Sequence, residues 1–415
     1  MLVCGLLALV PGVARAATPP AGFFGVGDWA WPSTATLDRE AKHGLRTWRV
    51  PLNFGDVGGV RGRLNFSGAD RLMANLASRR IEPLVVLAGC PAWACPAGGP
   101  PKAEPALSAW LQFTAAAVRR YGTHGTFWTS RPKLPPQPVR AWQVYNEVND
   151  TLEWPNPSPP EYAAFLGATA KAIRTADPAA KVVASGLAEK LTIWLKDYLA
   201  ALYQQPGFTA SFDILAVHGY AAGPLDAARI MQATHDIMVA NGDGARPVWM
   251  TEMSWATGGP PHPFVVAEDA QAANLRASWD TLLACAPYWN LQRVYWFGWQ
   301  DKSALPAADY WGYHNGLLRL DGTPKPALAA IDEYTSAAPL LPQGRGDVCP
   351  PDILAPPPPP APPPAVQPPP RTRKPHLKPR RHHRTSAKKK HHARKTACRR
   401  SGKKPRSCKA RSRRR

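Results

Sequence analysis

Two glutamates stand where chemistry could be done. Glu147 lies in "WQVYNEVND" and Glu252 in "VWMTEMSWAT", each closely following a short run of apolar, strand-forming residues. Each should therefore end a strand, with its carboxyl at the strand's C-terminal tip. Two carboxylates held at neighbouring strand ends can divide the work of splitting a glycosidic bond, one as acid/base and one as nucleophile. The first must deliver a proton near neutral pH, which partial burial and a second carboxylate favour. The second must stay ionised, which a nearby cation and a hydroxyl donor favour. Asn146, directly before Glu147, can donate to a sugar 2-hydroxyl, a bond that strengthens in the transition state.

The elements that would hold these residues read clearly. Between Gly22 and Ala338 short apolar runs alternate with amphipathic stretches. Eight candidate strands follow one another: "FFGVG", "TWRVPL", "EPLVVLA", "RAWQVYN", "KVVASG", "DILAVHGY", "PVWMTE" and "RVYWFGW". Between them lie segments such as "PPEYAAFLGATAKAIRTA", where Tyr162, Phe165, Leu166, Ala170 and Ile173 recur at helical spacing and Pro178 ends the pattern. Apolar strands alternating with helices predict a parallel sheet covered on both faces. Eight such units predict an α/β fold of the (β/α)8 barrel type over residues 22–341, a fold of about 250 residues before insertions. An open doubly wound sheet is the alternative, but no glycine-rich phosphate loop follows the first strand.

Counted onto that list, Glu147 closes the fourth strand and Glu252 the seventh. In this barrel active sites form at the C-terminal ends of the strands. The chain resembles the clan of retaining (β/α)8 glycoside hydrolases that includes the family 5 cellulases and the family 39 glycosidases. The resemblance implies that Asn146 and Glu147 are the clan's asparagine and acid/base, and Glu252 its nucleophile. It further implies that Arg49 in "TWRVPLNF" lies close to the nucleophile, and that His218 and Tyr220 in "AVHGYA" hydrogen-bond around it. Trp296 or Trp299 in "VYWFGWQD" would floor the sugar-binding subsite. The carboxyl groups should stand about 5 Å apart, which implies retention of anomeric configuration. No metal or organic cofactor is required for such chemistry.

The chain holds 16 tryptophans, whose rings can cover the apolar C–H faces of sugars. Trp29, Trp31, Trp93, Trp154, Trp255 and Trp299 fall at or after strand ends and are expected to face the cleft; Trp48, Trp142 and Trp249 fall inside strands and are expected in the core. Asp28 and Asp150 could bind sugar hydroxyls or cap helices, and Glu153 is expected to be solvent-exposed.

The net charge of +22 belongs to one end of the chain. Of 51 Lys and Arg residues, 22 lie between Arg371 and Arg415, where there is no Asp or Glu; the other 29 match the 29 acidic residues. A neutral body argues against specific nucleic-acid binding. The tail is expected to be disordered and suited to anionic cell-envelope polymers. Before it, residues 350–370 contain 13 prolines and read as an extended spacer. Residues 1–17 read as a secretory signal, with an apolar run followed by Ala14, Ala16 and Ala17. The expected location is therefore secreted or envelope-associated, with no membrane span and a monomeric body. Six cysteines would remain after cleavage; Cys90 with Cys95, Cys285 with Cys349 and Cys398 with Cys408 are candidate pairs, with connectivity open.

The expected activity is that of a retaining hydrolase of a β-linked polysaccharide. The alternatives are an exo-acting β-glycosidase of the β-xylosidase kind, and a non-catalytic carbohydrate-binding or wall-anchoring barrel.

Overall fold

The structure, a computed structural model, describes residues 19–189, 192–302, 308–336 and 346–355. The signal segment, most of the proline-rich run, the basic tail and the Cys398–Cys408 pair lie outside the described residues.

Among the described residues, nine parallel strands form one sheet: β1 Phe24–Gly27, β2 Thr47–Asn53, β3 Glu82–Ala88, β4 Ala141–Val144, β5 Lys181–Val183, β6 Leu187–Ala188, β7 Leu215–His218, β8 Val248–Met253 and β9 Leu291–Phe297. Their order is β5-β4-β3-β2-β1-β9-β8-β7-β6. All eight expected strands are present. The fifth is broken into β5 and β6, so the expected seventh and eighth strands are β8 and β9. The two edges of the sheet are thus one stretch of chain, and a parallel bridge from Val183 to Ile214 joins β5 to the start of β7. The sheet curls round on itself in the manner of a (β/α)8 barrel.

Alternation along the strands divides the core in two. Trp48, Val50 and Leu52 of β2, Trp142 and Val144 of β4, and Val294 and Trp296 of β9 belong to the large cluster shared with the helices. Leu84, Ala141, Val183, Ile214, Ala216, Trp249 and Tyr295 form a separate inner cluster. This is the in/out division that fills a small barrel with side chains.

The helix Pro159–Ala176 buries Tyr162, Phe165, Leu166, Ala170 and Ile173, and the Ser158 side chain caps its first turn by accepting from the Glu161 N–H. It stops before Pro178, whose ring disfavours helical backbone at Asp177. Disulfides join Cys90 to Cys95 and Cys285 to Cys349. The second lies next to a feature that the proline count hid. Pro351–Leu354 form a helical turn with Ile353 buried, so the spacer begins later than Pro350.

Candidate active site

Each site residue is aimed by local backbone. Arg49 sits on β2 between outward-facing Trp48 and Val50, so it points into the barrel, where it is buried. On β4, Gln143 is likewise inward; its Oε1 accepts from Arg49 Nε at 3.0 Å and its amide donates to the Tyr145 carbonyl at 3.1 Å. Beyond β4 the chain adopts left-handed backbone at Tyr145 (φ 66°) and Glu147 (φ 39°). Such conformations cost a non-glycine residue on the order of 1–3 kcal/mol each and persist only where the surroundings enforce them. Here the Tyr145 N–H donates to the Leu87 carbonyl at 2.9 Å, and the Glu147 N–H to the Gly186 carbonyl at 3.0 Å.

Glu252 needs an irregularity to reach the site. On β8, Trp249 faces inward and Met250 outward, so strict alternation would turn Glu252 toward the helices. The pairing with β9 shifts register between Met250 and Met253, and Met253 joins the outer cluster. This bulge-like shift returns Glu252 to the inner face, opposite His218 of β7.

There Glu252 is 5% exposed and receives two donors: Arg49 Nη1 to Oε1 at 2.6 Å, and the Tyr220 hydroxyl to Oε2 at 2.7 Å. Arg49 also gives Nη2 to Asn146 Oδ1 at 2.7 Å. Burial, then the Glu252 charge, pushes the Tyr220 phenol well up, which keeps it a donor. Glu147 has a different partner. His218 Nδ1 lies 2.7 Å from Glu147 Oε1, while Nε2 lies 3.5 Å from Glu252 Oε1, beyond a good hydrogen bond at that buried position. The histidine therefore hydrogen-bonds the acid/base candidate, whereas the resemblance had grouped it with the tyrosine around the nucleophile. Gly186 makes room for it, since a Cβ there would fall 2.1 Å from His218 Nε2.

One oxygen of Glu147, one nitrogen of His218 and one oxygen of Glu252 all lie within 4.8 Å of one another. Such a group has the composition of a cation site. The Arg49 guanidinium already supplies a positive charge to Glu252, and the direct Glu147–His218 contact pairs two of the three groups.

The tryptophan expectations fare unevenly. Trp296 is fully buried on the outer face of β9, its indole N–H donating to the Asn315 carbonyl at 3.1 Å. Trp299 is 3% exposed and packed in the outer core. Alternation on β9 sends Tyr295 and Phe297 inward, so Trp296 does not floor the site. Trp154 and Trp255 are also buried rather than in the cleft. Trp29 does line the opening: it is 45% exposed, edge-on to Phe297 at 5.2 Å and stacked with Tyr310 at 6.2 Å. Trp31 and Trp93 are half-buried and donate to the Pro51 and Gly58 carbonyls. Trp48, Trp142 and Trp249 are buried as expected.

The remaining wall comes from residues the sequence reading passed over. Trp311, on the short turn Trp311–His314, meets Tyr220 edge-on at 5.4 Å, Phe264 at 5.0 Å and the His262 ring in a stack at 5.2 Å. Burial, then the charges of Glu147 and Glu252, raises the Tyr310 phenol. The aromatic density of "DYWGYH" was the available signal. Asp28 braces the opening, accepting from Lys302 Nζ at 2.5 Å and from the Trp299 N–H at 3.2 Å. Asp150 accepts from Thr192 Oγ1 at 2.9 Å. Neither of these two caps a helix. Glu153 overturns its expectation: it is partly buried, and burial, then the charges of Glu147 and Glu252, raises its carboxyl.

No family model and no curated protein sequence matches this chain. Solved structures do. A family 39 glycoside hydrolase from Bacteroides cellulosilyticus superposes with a TM-score of 0.59 at 20% identity over 77% of this chain; the chain spans 64% of that protein's length, less than two thirds. A monomeric β-xylosidase from Caulobacter crescentus gives 0.58 at 20% identity, covering 78% of this chain and 70% of its own. A GH5_18 protein from Bifidobacterium longum, solved with Manβ1-4GlcNAc, gives 0.58 at 17%, covering 79% and 80%. The chain has the α/β barrel fold of family 39 and family 5 glycoside hydrolases.

Proposed function

We propose that the protein is a retaining glycoside hydrolase acting on a β-linked polysaccharide by double displacement. The observation that carries this reading is the pair Glu147 and Glu252, with carboxylate oxygens within 4.8 Å of each other and unlike partners. That separation suits direct attack by a carboxylate rather than attack by an interposed water. Arg49 and Tyr220 both donate to Glu252, which stabilises its ionised form and suits it to be nucleophile. Glu147, bonded to an imidazole, suits proton transfer.

In the first step a Glu252 oxygen bonds to the anomeric carbon as the bond to the leaving oxygen breaks, and Glu147 gives that oxygen its proton. In the second step Glu147 takes a proton from water, the water oxygen bonds to the anomeric carbon, and Glu252 departs. The exposed aromatic rims of Trp29 and Tyr310 would cover sugar faces.

Export fits this reading, since two disulfides close within the body and disulfides persist in oxidising compartments. The basic tail would hold the enzyme on anionic envelope polymers; removing residues 356–415 should reduce that retention and leave activity on soluble substrate intact.

The test is a screen of polymeric β-glycans with product sizing, run on wild type, Glu147→Gln and Glu252→Gln. The reading expects wild-type cleavage of at least one glycan and loss of most activity in both variants. Random shortening of the polymer marks endo action; release of single sugars from one end favours the exo-acting alternative. Wild-type rates in both variants would sink the assignment.

A further inference from the structure

We infer that Lys325 is a positioning residue, whose buried ammonium pins the loops after β8 and β9 together and so sets the aromatic wall of Trp311, Phe264 and His262. The pin rests on geometry alone; its effect on substrate rests on the glycosidase reading. Lys325 directly precedes the helix Pro326–Thr335. It is 2% exposed, with its side chain fully buried. Burying a lysine is unfavourable unless its charge is paired and its N–H groups are used. An ammonium offers three donors and no acceptor. Here Nζ meets three acceptors: Thr257 Oγ1 at 2.7 Å, Asp301 Oδ1 at 2.7 Å and the His314 carbonyl at 3.2 Å. Thr257 lies just beyond β8, Asp301 just beyond β9, and His314 ends the turn Trp311–His314. One cation thus joins the start of each loop to the turn that carries Trp311.

Each partner is held a second time. The Thr257 N–H donates to the same His314 carbonyl at 3.0 Å. Asp301 Oδ1 also accepts from the Gly316 N–H at 2.9 Å. The Lys325 N–H donates to the Leu317 carbonyl at 2.9 Å, which fixes the base of the side chain. The loops approach closely around this pin: a Cβ at Gly259 would fall 2.8 Å from His314 Cδ2 and 3.0 Å from Trp311 Cα.

Both joined loops carry rings of the wall. In the loop after β8, the Ala256 N–H donates to the Phe264 carbonyl at 2.9 Å and the Val266 N–H to the Ala256 carbonyl at 2.9 Å, so the chain folds back and presents His262 and Phe264. From the loop after β9, Trp311 stacks on the His262 ring at 5.2 Å and meets Phe264 edge-on at 5.0 Å. It also meets Tyr220, the donor to Glu252, edge-on at 5.4 Å. The wall is therefore made of two halves from two loops, set beside the proposed nucleophile. Hydrogen bonds to a charge are short and directional, so Lys325 fixes the register of the halves more tightly than ring contacts alone.

Lys325→Met alone would leave the Asp301 carboxylate buried without its cation, a change that can unfold a protein. The test variant therefore combines Lys325→Met with Asp301→Asn, which keeps an amide oxygen for the Gly316 N–H, in the full chain and checked for native circular dichroism. The first measurement is hydrogen–deuterium exchange by mass spectrometry, which needs no substrate. Faster exchange confined to peptides covering residues 257–266 and 311–318 is expected. Unchanged exchange there, or faster exchange across the whole barrel, overturns the proposal. The second is steady-state kinetics on soluble β-glucan, xylan or mannan, whichever wild type cleaves. KM should rise about two- to tenfold, the size of a lost ring contact, and kcat should move less. Made on top of Trp311→Ala, the same change should add little, since both act through one wall. Additive losses, or a fall in kcat at constant KM, would show that Lys325 does not act through Trp311 and would overturn the proposal. Should wild type cleave none of these glycans, the glycosidase reading fails, and the exchange pattern still decides whether Lys325 joins the loops.

Discussion

His218 and Glu147 form the contact that separates the two glutamates. Nδ1 lies 2.7 Å from Glu147 Oε1, while the other nitrogen stands 3.5 Å from Glu252. The buried imidazole thus serves Glu147, the proposed proton donor, and Glu252, the proposed nucleophile, is left to Arg49 and Tyr220.

If the imidazole serves proton transfer, losing it should cost most where a proton is most needed. His218→Ala is expected to lower kcat about 100-fold, within the range of general acid–base contributions. The deficit should shrink on aryl glycosides with good leaving groups, which depart without protonation. Steady-state kinetics over a leaving-group series checks this; an equal loss across the series contradicts it.

Tyr220 gives its hydroxyl to Glu252 Oε2 at 2.7 Å. Tyr220→Phe removes one donor to a charged group, and should lower kcat/KM about ten- to hundredfold. Ring packing against Trp311 and Phe264 is kept, so the melting temperature should move little. A large fall in melting temperature with unchanged kcat/KM would show a purely structural tyrosine.

Trp29 and Tyr310 present exposed ring faces beside Phe297. Trp29→Ala and Tyr310→Ala should each raise KM for a polymeric substrate about two- to tenfold, with smaller effects on kcat, since stacking contributes about 0.5–1.5 kcal/mol. Unaltered KM in both variants would remove these rings from the substrate path.

Glu40 gives a prediction about stability. It is 0% exposed, and neither carboxyl oxygen has a hydrogen-bond partner among the described residues. Burial, then the charge of Asp28, raises its pKa well above the ordinary 4.5. A carboxyl raised in the folded state holds its proton there while the unfolded chain releases it. Its contribution to stability is therefore intact below about pH 4.5, the unfolded value, and falls as pH rises toward the folded value. Glu40→Leu should raise the melting temperature at pH 7–8 by several degrees, about 1–3 kcal/mol, and much less at pH 4. Calorimetry across that range checks the sign; destabilisation at pH 8 would contradict it.

The strands, and five residues of the site, were legible because barrel strands are continuous apolar runs and because Glu147, Glu252, Arg49, His218 and Tyr220 fall at their ends or inner faces. What alternation alone could not show was the register shift in β8 that brings Glu252 inward. The same limit misplaced Trp296, which shares the outward parity of Val294. Trp154 and Trp255 were read as cleft residues from position after a strand, but loops here fold back and bury them. Glu153 looked like a surface carboxylate because nothing local announces that its neighbour Trp154 is buried. Ile353 went unnoticed because the surrounding prolines dominate the composition.

The central claim is double displacement through Glu252, and the stereochemistry of the first-formed product tests it most directly. Proton NMR of a β-glycan digest at early times should show the β-anomer of the new reducing end first, with the α-anomer appearing later by mutarotation. Early appearance of the α-anomer would mean inversion, and would contradict the account.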